Sequence, residues 1–258
     1  DDDDEVSEWN LRKCSASGLD TLANRFGAGT LPTLLPLLQE RLASPEWAVR
    51  ESGILALGAI ADGCTEPISA YLPQLVPWLI ETLSHPKALV RSIACWTLSR
   101  YAHWLIDEHE RTAAEGGSGS ALLPRLVDAL LRCVLDRNKR VQEAACSAMA
   151  TLEEEARLAL VPYLQPILQT LLSAYASYQA KHLHILYDAI GTLADAVGAE
   201  IARPELLQLL MPPLMERWSR LPADHIGLLP FLATLTAVAQ ALGLAFQPYA
   251  EPVFARCV

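Results

Sequence analysis

The sequence predicts an all-α solenoid, one array of stacked helix pairs. Three observations predict it. Five helical segments rich in small residues recur at intervals of about forty residues. Between them lie five segments with Leu at helical spacing. No stretch of the 258 residues shows sustained period-two alternation or an Asn-Gly or Asp-Gly hairpin turn.

The small-residue segments define the repeat. They read NLRKCSASGLDTLAN from Asn10, AVRESGILALGAIAD from Ala48, LVRSIACWTLSRYAH from Leu89, RVQEAACSAMATLEE from Arg140 and HLHILYDAIGTLAD from His182. Each of the first four carries an aliphatic residue (Leu11, Val49, Val90, Val141) followed by Arg12, Arg50, Arg91 or Gln142. His182 fills the aliphatic place in the fifth. The steps are 38, 41, 51 and 41 residues. Removing roughly ten residues around EGGSGS (Glu115–Ser120) restores the period of HEAT and armadillo repeats.

These segments are the B helices of the pairs. Counted from the aliphatic residue, offsets 0, 4, 7 and 11 share one face. That face reads Val141, Ala145, Ala148, Leu152 in one copy and Val49, Gly53, Ala56, Ile60 in another. Small side chains there let neighbouring helices approach, and the cysteines among them are core. The A helices are the Leu-rich segments. Pro32, Pro73 and Pro124 fall in their first turns, where no N–H is lost. Pro77, Pro166 and Pro213 fall deeper and are expected to bend their helices.

The chain runs as an acidic opening segment (1–7), a B helix (8–26), helix pairs at 30–64, 68–104, 121–156, 158–198 and 205–243, and a last A helix (245–258). A flexible insert covers 109–120. The fold is expected to be a right-handed superhelix with the B helices on its concave side. The first and last segments read as cut from a longer array.

Composition narrows the function. A net charge of −10 argues against direct nucleic-acid binding, which needs clustered Lys and Arg. It suits a basic partner. Six cysteines without a CxxC pair read as reduced thiols. Residues 226–250 carry no charge over a length that could span a bilayer. Pro230, Gln240, Gly243, Gln247 and Pro248 break that run into two helices, so no membrane span is expected. His182 and His184 sit on nearly opposite sides of a helix, and no Cys spacing completes a metal site. GGSGS lacks the Lys and the strand–helix setting of a phosphate loop. No cofactor is expected, and the chain does not read as an enzyme.

Offsets 3, 6, 10 and 13 make a second stripe on each B helix. It reads Cys14, Ser17, Thr21, Asn24; Ser52, Leu55, Ala59, Asp62; Ile93, Trp96, Arg100, His103; Ala144, Ser147, Thr151, Glu154; and Ile185, Asp188, Thr192, Asp195. The stripe is apolar at Leu55, Ile93 and Trp96, then turns to hydroxyls and carboxylates. It suits an extended peptide with a hydrophobic end and a basic end. Trp96 lies on this open stripe, so its truncation is expected to leave stability nearly unchanged. A different reading is a scaffold subunit that binds folded partners, such as a phosphatase or condensin-type adaptor.

The strings EWNLRKCSASGLDTLAN, ESGILALGAIADGC, ALVRSIACWTLSRYAHW, NKRVQEAACSAMATLEEEA and LYDAIGTLADAVG closely resemble the central repeats of the transportin (karyopherin-β2) family of nuclear import receptors, in the importin-β superfamily. The match runs nearly end to end and covers less than a third of a full receptor. The resemblance implies that DDDDE is the tail of an acidic loop linking GTPase binding to cargo release. It implies partners: proline-tyrosine localisation signals of cargo here, with Ran GTPase and FG nucleoporins contacting mostly other repeats. It also implies shuttling between cytoplasm and nucleus. The Pro-Tyr end would dock at Ala16, Ser17, Asp20, Leu55, Ile93 and Trp96. The basic part would meet Ser147, Thr151, Glu154, Ile185, Asp188, Thr192 and Asp195. Two positions depart from the family pattern: Ser17 stands where Ala is common, and Ala233 where an acidic residue is expected.

Overall fold

The computed structural model describes residues 11–117, 119–179 and 182–257. The expected acidic segment and the start of the first B helix, at 1–10, lie outside them. Among the described residues there is no strand and there are fourteen α-helices. In chain order they are α1 (Leu11–Phe26), α2 (Leu31–Leu42), α3 (Trp47–Ala59), α4 (Ala61–Ile68), α5 (Leu72–Thr82), α6 (Ala88–Arg100) and α7 (Ala102–Ala114). There follow α8 (Leu122–Val134), α9 (Lys139–Ala156), α10 (Leu164–Ser177), α11 (Leu183–Val197), α12 (Pro204–Arg220), α13 (Leu228–Leu242) and α14 (Gln247–Cys257).

They form two rows of an α-solenoid. The B row is α1, α3 with α4, α6 with α7, α9, α11 and α13; the A row is α2, α5, α8, α10, α12 and α14. Fourteen helices replace the expected twelve because two B helices break. At Ile60 and Tyr101 a single residue leaves helical geometry, with ψ near zero. The amide of Tyr101 bonds the Leu98 carbonyl at 3.1 Å, a tighter turn than the α-helix makes. The break after α3 lets α4 pack chiefly on α1, where Gly63 lies directly against the backbone of Ala23.

The expected core face holds in α9 and needs correction at two places in α3. Val141, Ala145, Ala148 and Leu152 are buried, as are Gly53 and Ile60, but Val49 is 36% exposed and Ala56 only half-buried. The proline expectations also need correcting. Pro166 sits in the first turn of α10, because a 3-10 turn at Arg157–Tyr163 precedes that helix. Pro77 and Pro213 are interior, as are Pro36 and Pro67. The segment read as a flexible insert is half helical, since α7 runs to Ala114. The apolar run Leu228–Arg256 has the length and hydropathy of a membrane span. It is divided at the Gly243–Phe246 turn, where Gly243 has φ +52°, and Phe231, Leu235, Val238 and Leu242 of α13 are buried.

The Arg or Gln that opens three of the B helices, α3, α6 and α9, has a local task. Arg50 donates to the Ser44 carbonyl at 2.8 and 3.1 Å, Arg91 to the His85 carbonyl at 2.7 Å, and Gln142 to the Asp136 carbonyl at 2.6 Å. Each reaches back six residues to the turn from its own A helix. The side chains of the same turn residues accept the amide two residues on, at 3.2 Å for Ser44, 3.1 Å for His85 and 2.8 Å for Asp136. Arg91 goes further and grips Asp136 of the next repeat with two bonds of 2.8 and 2.9 Å. Thus one side chain closes its own turn and orients the following repeat.

That pair is largely buried, with side chains 16% and 13% exposed. Arg91→Ala leaves Asp136 without its counter-charge and is expected to cost ~3 kcal/mol, read by chemical denaturation. Adding Asp136→Ala should cost less than the two single losses together. At the α1–α4 crossing a Cβ on Gly63 would overlap the Ala23 backbone. Gly63→Ala is therefore expected to destabilise by ~1–3 kcal/mol and to raise hydrogen exchange in α1 first.

Candidate functional site

The B helices have four sides. One faces the preceding B helix, one the A row, one the following B helix, and one is open. Hydroxyls on the first side fasten the row: Thr97 donates to the Ile54 carbonyl at 3.0 Å, Tyr101 to Leu57 at 2.8 Å and Thr234 to Tyr187 at 2.8 Å. These acceptors are carbonyls within the neighbouring helices, so the helices must lie close. The small residues supply that closeness. The open side carries the stripe on which the candidate residues were placed.

At the apolar end, Ile93 is buried at 8% exposure, while Leu55 and Trp96 are half-buried and pack on the core. Trp96 lies across Gly58 of α3, where any Cβ would overlap the indole. It is therefore partly structural, which corrects the expectation that removing it leaves stability untouched. Its ring also meets Arg100, whose guanidinium is 6.0 Å from the ring centre. Arg100 pairs with Asp62 and lies 3.8 Å from Asp20, tying α6 to α4 and α1. Asp20 also accepts from Asn24 at 3.2 Å. Ala16 is half-buried and Ser17 exposed on α1, outside the depression into which Trp96 opens.

That depression is lined by Asp62, Trp96, Ser99, Arg100, His103, Ser147, Thr151 and Glu155. His103 joins Glu155 at 3.2 Å and Asp107 at 3.4 Å. A second depression, of about 610 Å³, lies between α9, α11 and α13. Its wall brings together Ser147, Ile185, Asp188, Thr192 and Asp195 with Glu143, His184, Pro230 and Ala233. Glu143 is held at 2.5 Å by His182, so the histidine in the aliphatic place fastens α11 to α9. Ser147 lines both depressions. Glu154 is exposed and lines neither; Glu155, one residue on, faces the first.

Sequence reasoning had placed Asp62, Arg100 and His103 on the stripe without giving them a task. Glu143, Glu155 and His184 it passed over, because they sit at the margins of the face and are brought in by the neighbouring helix. Among the described residues no group of three or more His, Cys, Asp or Glu is placed to hold a metal ion. Cys64, Cys95, Cys133 and Cys146 are buried free thiols, and Cys14 is exposed.

Comparison with known proteins gives the family and fold of this chain. Residues 47–101 match the HEAT-like repeat family. The chain is 57% identical over 253 residues to Transportin-1 of Homo sapiens, covering 98% of this chain and 27% of that protein. It is 52% identical over 261 residues to Transportin-1 of Oryza sativa subsp. japonica, covering all of this chain and 29% of that protein. Among solved structures, Kap121p bound to Pho4p superposes with a TM-score of 0.81 at 21% identity, covering 96% of this chain and 24% of that one. This last likeness is one of fold. The chain spans about a quarter of the length of the curated relatives it matches. Its sequence, nearly end to end, thus belongs to the transportin family.

Proposed function

We propose that the open face of the B row binds an extended segment of a cargo protein, as the cargo-binding part of a nuclear import receptor. The segment's Pro-Tyr end packs at Leu55, Ile93 and Trp96, beside Ala16, Ser17 and Asp20 of α1. Its basic part crosses Ser147 and Thr151 to Ile185, Asp188, Thr192 and Asp195, with Glu154 exposed beside the path but lining neither depression. The observation that carries this reading is continuity. Two depressions, one holding an indole and one rimmed by carboxylates, share Ser147 as a common wall. An extended chain can cross that wall without leaving the surface.

The spacing of the helices supports the reading. The B helices contact one another more closely than the A helices do, and the more tightly spaced row of a bent array lies on its inside. The relatives support it as well: Transportin-1 is the name of two that are 57% identical to this chain, and Kap121p has been solved bound to Pho4p. On this reading Ran and FG nucleoporins are partners of the whole receptor, which shuttles between cytoplasm and nucleus.

The direct test is fluorescence anisotropy with a labelled Pro-Tyr signal peptide and its Ala-Ala counterpart; equal affinity for the two would sink the proposal. Trp96→Ala is expected to weaken the Pro-Tyr peptide by roughly 30-fold, as a lost aromatic anchor worth ~2 kcal/mol. Because the indole also covers Gly58, this variant should melt slightly earlier. Its binding loss must exceed that of any single carboxylate variant.

The acidic depression has its own signature. Glu143, Asp188 and Asp195 each contribute ~0.5–1.5 kcal/mol toward a cationic side chain, and salt screens them. Replacing all three with Ala is expected to flatten the dependence of affinity on ionic strength. Glu154→Ala alone should change it little, because Glu154 stands outside the depression. An unchanged slope in the triple variant would make these carboxylates a solvated face.

A further inference from the structure

Three B helices end in one pattern. α9, α11 and α13 each close with a residue at φ near +50° and ψ near −125°, whose amide bonds the carbonyl four residues back. In α11 and α13 that residue is Gly198 and Gly243, and the acceptors belong to Ala194 and Ala239. α1 follows suit, with Gly27 at φ +51° four residues after buried Ala23. In α9 both places differ. The left-handed residue is Arg157, at φ 45° and ψ −119°, and the acceptor is Glu153.

Each departure is costly by itself. Arg157 is the single non-glycine with positive φ among the described residues, in a region that side chains with a Cβ avoid. Glu153 is 0% exposed and neither carboxylate oxygen has a hydrogen-bond partner. Burial pushes its carboxyl well above the usual range, and Asp188 of α11 and Glu154 of its own helix push the same way. Cys146, two turns back, shares that field. Around the same turn, His103 of α7 pairs with Glu155 and Asp107.

The turn also sits where binding is proposed. Glu155 lines the first depression, and Asp188, which acts on Glu153, lines the second. We infer that the last turn of α9, Glu153–Arg157, is a two-state joint: closed as seen, or unwound with Arg157 relaxed and Glu153 swung out beside Glu154 and Asp188. Opening places one more carboxylate on the acidic tract, so a bound cationic segment favours the open state. Rising pH favours it too. A carboxyl raised in the folded state stabilises the closed turn below its unfolded value, and that contribution is lost as pH rises toward the folded one. The cation link rests on the peptide-binding reading, whereas the pH link does not.

The test is hydrogen exchange by mass spectrometry on the whole chain, comparing the end of α9 with the end of α11 after correction for intrinsic rates. At pH 8.5 the α9 turn is expected to exchange at least ~10-fold faster than its α11 counterpart, with a smaller ratio at pH 6.5. Glu153→Gln should remove the pH dependence, which separates it from titration of His103. The double change Glu153→Ala with Arg157→Gly restores the pattern of the other B helices and should bring the ratio close to one. Hexa-arginine, with its binding followed by anisotropy, should speed exchange at this turn in the unaltered chain only. Equal protection of the two turns at both pH values, or a pH dependence that survives Glu153→Gln, overturns the joint. Hexa-arginine that binds without altering exchange overturns its coupling to ligand. Failure of hexa-arginine to bind counts against the acidic depression and leaves the pH arm to decide on the joint.

Discussion

Close approach between successive B helices is the constraint on which the rest of this array depends. Gly58 makes room for an indole, Gly63 for a bare backbone, and Ala145 and Ala148 for a neighbouring helix. Only at such spacing can Thr97, Tyr101 and Thr234 reach carbonyls inside the helix before their own. The Ile54 and Tyr187 carbonyls sit inside their helices, and each takes the added hydroxyl on its second lone pair; the Leu57 carbonyl lies where the break at Ile60 interrupts the helix. The hydroxyls thereby lose no partner on burial, and α6 and α13 are each indexed to the B helix before them by directional bonds as well as by apolar packing.

The open face follows from that spacing. With one side of each B helix committed to its predecessor and the opposite side to its successor, the A row takes the third. What remains is a narrow strip on each helix, and adjacent strips nearly touch. Side chains from neighbouring repeats therefore share depressions: Trp96 with Ser147, and Asp188 with Glu143 and Ala233. The Arg100 cluster shows the same logic with charge. A cation in such a strip finds its carboxylates, Asp62 and Asp20, on two different helices.

Much of this was legible in the sequence, because the period and the placement of small residues depend only on local geometry. The recurring Arg after the aliphatic residue marked the start of each B helix. Its reach back over six residues was hidden, since that bond depends on how the turn folds. Stripe counting recovered Trp96, Ser147, Asp188 and Asp195 as neighbours. It chose Glu154 over Glu155 because it assumed a helix of constant twist beside straight neighbours. The breaks at Ile60 and Tyr101 left no such signal. Neither position carries Gly or Pro, and the break is imposed by packing of α4 on α1 and by the Tyr101 hydroxyl reaching Leu57.

Ser147, the wall common to both depressions, sits on one helix, and this bears on mechanics. An α-solenoid is compliant, and bending it changes the angles between successive repeats. Opening the α6–α9 junction widens the depression holding Trp96; opening the α9–α11 junction widens the one holding Asp188. Neither motion displaces the wall itself. The two depressions thus behave as jaws hinged on a common post, each able to yield without dragging the other. A ligand with two anchors and a pliable segment between them keeps one grip while the other loosens, so it rides the bending of the array instead of resisting it.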